Sequence, residues 1–197
     1  LVPLDGLDLA EQVLPYVRVM ALALGSAVEL VRVTAPVPAE MDQAAQDRYR
    51  ERALDYLKGV QGSLEREGLT VTATALDGRP AATIVAQAEE RPGALIAMST
   101  HGRFGIGRWV VGSVTDKVLH TSRSPLLIVR AREGRDAVPD TQLRNMIVPL
   151  DESSEATEIL SLLVPVIKAM DLRVTLVRSV RPTASAVQPD LMDLPDH

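Results

Sequence analysis

At 197 residues, 46% hydrophobic and 24% charged, the chain holds enough apolar material for one ordinary domain and part of another, which excludes extended disorder. A net charge of -5 excludes a protein built to grip DNA or RNA by its phosphates, since that task needs clustered Lys and Arg. The lack of Cys and the presence of only three His exclude disulfides and thiolate metal sites, argue against a histidine-built one, and point to the cytoplasm; no apolar run reaches the ~20 residues that span a bilayer.

In chain order, a short apolar strand is expected over 1–4, ending at Pro3 and Asp5, and a helix over 9–24, where apolar residues recur at helical spacing up to Gly25. A second strand follows over 27–33. Pro36 and Pro38 interrupt the chain before a long helix over 41–67, in which Leu54, Leu57 and Leu64 alternate with charged residues and Gly68 ends the run. Residues 71–76 alternate as a third strand, Pro80 occupies a first helical turn, and 81–90 form an alanine-rich helix. A fourth strand over 95–98 leads into a glycine-punctuated loop over 99–112, a helix over 113–121 and a last strand over 125–129. Strands apolar on both faces that alternate with helices predict a doubly wound five-stranded parallel sheet with helices on both faces. In such sheets ligands bind beyond the carboxyl ends of the strands, so functional residues should follow strands.

Residues 131–144 are polar, with Gly and Pro, and read as a linker. Beyond them the beginning repeats. Shifted by 146 residues, Val2-Pro3-Leu4-Asp5 returns as Val148-Pro149-Leu150-Asp151, and the ungapped match of 31 positions holds 11 identities where about two would arise by chance. This predicts a strand over 147–150, a helix over 154–170 and a strand over 173–180. The expected organisation is therefore a complete domain over 1–130 with a nucleotide site, a linker over 131–144, and the beginning of a second, truncated copy over 145–197. The chain starts without Met inside a strand pattern, so the native protein is expected to extend further.

The densest chemistry lies between the fourth strand and the next helix, from Met98 and Ser99 through Gly102, Arg103, Gly112, Ser113 and Val114 to Thr115. Glycines there permit positive φ and close backbone approach to a phosphate, and the helix start directs unpaired amides and a positive dipole end outward. Ser113 and Thr115 add hydroxyl donors. The competing reading is that the glycines shape a surface loop and Ser113 caps the helix. His101 reads as loop-shaping or solvent-facing unless a partnered nucleophile exists, and Trp109 as a packing residue.

Ser99-x2-Gly102-x9-Gly112-Ser113 resembles the ATP-binding signature of universal stress proteins, G-x2-G-x9-G-[ST], with Ser99 in place of the first glycine. The resemblance extends to the opening Val-Pro-Leu-Asp, to Gly78-Arg79-Pro80-Ala81, to Thr100-His101-Gly102-Arg103 and to Ser124-Pro125-Leu126-Leu127-Ile128-Val129, and so spans about 130 residues. It implies an adenine nucleotide alpha-hydrolase-like fold and an ATP-binding regulatory module of the stress response, not an enzyme, although slow ATP hydrolysis is compatible with it. It further implies that Asp5 approaches the ribose or the metal-phosphate group, that Val33 touches adenine through its backbone, and that Pro3 and Leu4 belong to the cofactor-binding set. Gly102, Arg103, Gly112, Ser113, Val114 and Thr115 would hold the phosphates, Met98 and Ser99 would belong to the same cofactor-binding set, and Mg2+ would be carried by the phosphates, with no metal ligand or catalytic residue supplied by the chain. The implied partners are an adenine nucleotide and a second copy, as a homo-oligomer or an intrachain pseudo-dimer joined through the last strand; neither nucleic acid nor a membrane is expected. A scaffold of the same family that has lost its nucleotide, a weak ATPase, and a nucleotidyl transferase or ligase on the same architecture are the alternatives. The retained glycines argue against the first, and the absence of paired histidines or a Ser-Gly-Gly loop argues against the last.

Overall fold

In the computed structural model, which describes residues 1–34, 43–100, 112–131, 141–151 and 153–178, the chain divides into two units, Leu1–Gln142 and Leu143–His197. The first unit runs β1 (Val2–Pro3), α1 (Asp8–Glu11), α2 (Leu14–Leu24), β2 (Val28–Thr34), α3 (Gln43–Arg66), β3 (Val71–Asp77), α4 (Pro80–Glu89), β4 (Ile96–Thr100), α5 (Ser113–Thr121) and β5 (Leu126–Arg130).

Two elements depart from the sequence expectation in ways that matter for the site. The single helix expected over 9–24 is two helices. Pro15 has no N–H, and its ring collides with the carbonyl four residues back, that of Glu11, so α1 stops there and α2 restarts at Leu14 with Pro15 in its first turn. The fourth strand also runs two residues past Met98, so that Ser99 and Thr100 belong to β4 and are buried rather than opening the loop.

All strand pairs are parallel, but they form a three-stranded sheet β1-β2-β3 and a two-stranded sheet β4-β5 in place of one five-stranded ladder. The reason lies in β1. Leu4 N–H donates to Val31 O at 2.9 Å, so Val2 and Leu4 face β2, whereas Leu1 faces β4: its nitrogen donates to Leu95 O and its carbonyl accepts from Ala97 N–H, both at 2.9 Å. The next residue turned toward β4 is Pro3, which has no N–H to offer, and the ladder ends there.

Helices pack on both faces. On one, Val13, Val17 and Ala21 of the α2 region and Leu57 and Leu64 of α3 bury against Val2, Leu4, Val28 and Leu30. On the other, Ile84 and Ala88 of α4 and Val118 of α5 bury against Ile96 and Met98 of β4. Alternation along β4, with Ala97 in the first cluster and Ile96 and Met98 in the second, shows how one strand serves both layers.

The second unit contains β6 (Asn145–Leu150), α6 (Ser154–Met170) and β7 (Arg173–Arg178), with β6 and β7 parallel. Its register repeats that of the first unit at the offset of 146 found in the sequence: Val148 pairs with Leu176 as Val2 does with Leu30, and Pro149 with Val177 as Pro3 does with Val31. The turn after the strand repeats as well, since Asp5 Oδ1 accepts from Leu7 N–H and Asp151 Oδ1 from Ser153 N–H, each at 3.0 Å. The two bonds to Ser153, one from its amide and one from its hydroxyl, hold the Asp151 carboxyl below the usual carboxylate range. No helix among the described residues is long and apolar enough to cross a membrane.

Candidate functional site

A cavity of about 280 Å³ opens at the carboxyl ends of β1, β2 and β4. β1 lies beside β4 through the bonds of Leu1, and the chain runs on from β1 to β2 on one flank and from β4 to β5 on the other, so the strand order reverses between them, the position at which parallel α/β folds place their ligands. Pro3, Leu4 and Asp5 come from the end of β1, Val33 from β2, Met98 and Ser99 from β4, and Gly112, Ser113, Val114 and Thr115 from the start of α5. Every site residue expected from sequence within the described part of the chain is thus a wall of one cavity. Gly102 and Arg103 lie outside the described residues, as do His101, Phe104 and Trp109.

Three further walls escaped the sequence reading: Ala10 of α1, and Pro80 and Ile84 of α4. Ala10 and Ile84 are buried core residues whose far side is the cavity, and nothing in their identity distinguishes them from neighbours that only pack. Pro80 did carry a signal. It sits in the first turn of α4, so a second helix begins at the cavity edge.

The start of α5 corrects the local expectations. Gly112 is the N-cap with φ -56 and ψ 147, so this glycine is not used for a left-handed backbone; what it contributes is the missing side chain. The capping role considered for Ser113 also falls away, because Ser113 is the first helical residue, exposed, and α5 has no side-chain cap. Its first-turn amides are therefore of the kind that accept an anion. Thr115 differs from Ser113. It is buried, and its hydroxyl donates to Ser99 O at 3.2 Å, so it braces the helix against β4.

Asp5 is the one charged side chain among the described lining residues. Its Oδ1 accepts from Leu7 N–H and closes the turn after β1. Gly6, with φ +86, lies beneath Arg32: a Cβ there would stand 2.9 Å from Arg32 Nη1. The Arg32 guanidinium is in turn 5.2 Å from the centre of the Tyr56 ring, and Tyr56 Oη donates to Glu11 Oε1 at 2.8 Å. Burial first, then the bond to Glu11, pushes the Tyr56 phenol above its ordinary range. Among the described residues no group of His, Asp and Glu is arranged to hold a metal ion.

Sequence comparison assigns this architecture. The universal stress protein family profile matches residues 1–130. The chain belongs to the universal stress protein family. A universal stress protein of Methanocaldococcus jannaschii is 28% identical over 135 residues, covering 66% of this chain and 79% of the relative. The crystal structure of a universal stress protein from Archaeoglobus fulgidus superposes with a TM-score of 0.76 at 21% identity, covering 94% of this chain and 68% of that one. A universal stress protein solved in complex with cAMP superposes with a TM-score of 0.55 at 20% identity, over 66% of this chain and 95% of that one. These structural likenesses give the fold; the ligand in the last belongs to that protein.

Proposed function

We propose that the first unit of this universal stress protein binds an adenine nucleotide, ATP with its magnesium carried on the phosphates, and acts as a regulatory module rather than as an enzyme. The observation that carries the reading is the convergence of the uncapped first turn of α5 with the ends of β1, β2 and β4 on one cavity. At about 280 Å³ the cavity lies near the lower end of small-molecule sites, roughly 300–1,000 Å³, and suits a mononucleotide. A universal stress protein of the same fold was crystallised with cAMP, which supports the reading.

In this reading the amides of Ser113 and Val114 receive the phosphates, helped by the α5 dipole, and the exposed Ser113 hydroxyl adds a donor. Gly112 keeps that approach open. Val33, half-buried at the end of β2, meets the base, while Asp5 faces the metal-phosphate end, where its negative charge is favourable only beside a cation. The second unit is read as the start of another copy of the domain, on the strength of the shared register and the shared Asp turn. Self-association through the outer edge of β5, which pairs with β4 on one side, is part of the same reading.

Thermal unfolding of dialysed protein with and without Mg-ATP tests the binding. A ligand at a hundredfold excess over its Kd stabilises the native state by about 2.7 kcal/mol, so a clear rise in Tm is expected. No rise at millimolar Mg-ATP would remove the nucleotide from the proposal and leave an interaction scaffold.

A further inference from the structure

The residue that departs from the glycine signature, Ser99, carries a role of its own. Its side chain is buried, and its hydroxyl donates to Leu9 O at 2.7 Å, 90 residues away in sequence. The need for this bond traces to Pro15. In an unbroken helix the Leu9 carbonyl would accept from the amide of Val13; because α1 stops short, Val13 N–H donates to Ala10 O at 3.4 Å instead. The Ser99 hydroxyl supplies the donor that the break takes away. The same residue's carbonyl accepts the Thr115 hydroxyl at 3.2 Å. One position in β4 therefore fastens α1 on one side and the first turn of α5 on the other, and all three elements contribute walls to the cavity: Ala10, Ser99 and Thr115.

We infer that Ser99 is a positioning residue that sets the spacing between the α1 wall and the phosphate-receiving turn of α5, replacing with a hydroxyl bridge the close approach a glycine would allow. Resting on the nucleotide reading above, it adds a claim that reading does not contain: a serine here is a functional choice and not a tolerated loss. α1 has a second fastening, the bond from Tyr56 Oη of α3 to Glu11 Oε1 at 2.8 Å. A glycine or alanine at this position would leave the Leu9 carbonyl without that donor and free α1 to move relative to α5.

The test compares wild type with Ser99→Ala and Ser99→Gly, reading Mg-ATP and adenosine affinity by calorimetry and amide hydrogen exchange on the ligand-free chain. Both variants are expected to bind Mg-ATP about tenfold more weakly, the size of one buried hydrogen bond of ~1.4 kcal/mol. Adenosine, which has no phosphate for α5 to receive, should lose less than threefold. Exchange at the amides of Glu11, Gln12 and Val13 should quicken while that of β2 amides stays unchanged. An equal loss for both ligands would make Ser99 a generic structural residue and overturn the inference, as would tighter Mg-ATP binding in Ser99→Gly. If wild type itself binds no Mg-ATP, the nucleotide reading fails; the exchange arm still decides the fastening, and unaltered exchange in α1 refutes it.

Discussion

Replacing Gly112 by Val probes the phosphate-receiving turn with little collateral damage. At φ -56 and ψ 147 the backbone there is one that any L-residue adopts, so a side chain introduces no conformational strain. Removing a glycine lowers the entropy of the unfolded chain and, at a compatible site, shifts stability by less than about 1 kcal/mol. α5 also keeps its anchors, the bond from Asp116 N–H to Gly112 O at 2.8 Å and the brace from Thr115 to Ser99. What changes under the proposed reading is access, because an isopropyl group is added on a cavity-lining residue next to the Ser113 and Val114 amides. Charge-assisted bonds from such amides are worth roughly 1.5–3 kcal/mol each, and losing ~3 kcal/mol in all weakens binding by about a hundredfold. Calorimetric titration of Mg-ATP into both proteins, alongside urea unfolding, measures the two effects separately. A folded Gly112→Val protein with wild-type affinity would refute the assignment of phosphate to the start of α5.

Other outcomes follow from the same geometry. Because its phenol is pushed up in the folded state, Tyr56 keeps its proton where an unfolded tyrosine loses it; the stability this gives is present below about pH 10 and is lost as pH rises above that value. Urea midpoints at pH 9 and 11 should therefore fall more steeply for wild type than for Tyr56→Phe, and parallel slopes would contradict the burial and the Glu11 bond as causes. Leu57, fully buried in α3 against Leu30, should cost about 2–5 kcal/mol when cut to Ala, measured by chemical denaturation. Gly6→Ala forces a side chain into a left-handed turn and against Arg32, so a loss of about 1–3 kcal/mol is expected, together with a change in Tyr56 fluorescence as the guanidinium leaves the ring.

Most of the first unit could be read from sequence because each element announces itself locally. Leu54, Leu57 and Leu64 sit at helical spacing in α3, and Gly25 ends α2 in the left-handed conformation expected of a C-terminal glycine. The cavity residues of β1 and β2 were named by the family resemblance, and those of β4 and α5 also by the glycine-punctuated loop between strand and helix; strand ends and helix starts in a parallel fold face one rim. What escaped detection depends on contacts distant in sequence. Ala10 and Ile84 are ordinary apolar residues made into walls by their position, and the division of the sheet follows from which side of β1 Pro3 happens to face. The apolar spacing is continuous across Pro15, so the break between α1 and α2 shows only once the ring is set against the Glu11 carbonyl. Ser99 stands where the signature has a glycine, and nothing local announces the bond from its hydroxyl to Leu9 O, 90 residues away.

The most direct measurement is a crystal structure of this chain grown with Mg-ATP. A phosphate oxygen about 3 Å from the amide nitrogens of Ser113 and Val114, with the base beside Val33, is the expected result. A nucleotide seated elsewhere, or a cavity between β1, β4 and α5 with no phosphate in it at saturating ligand, would contradict the proposed site.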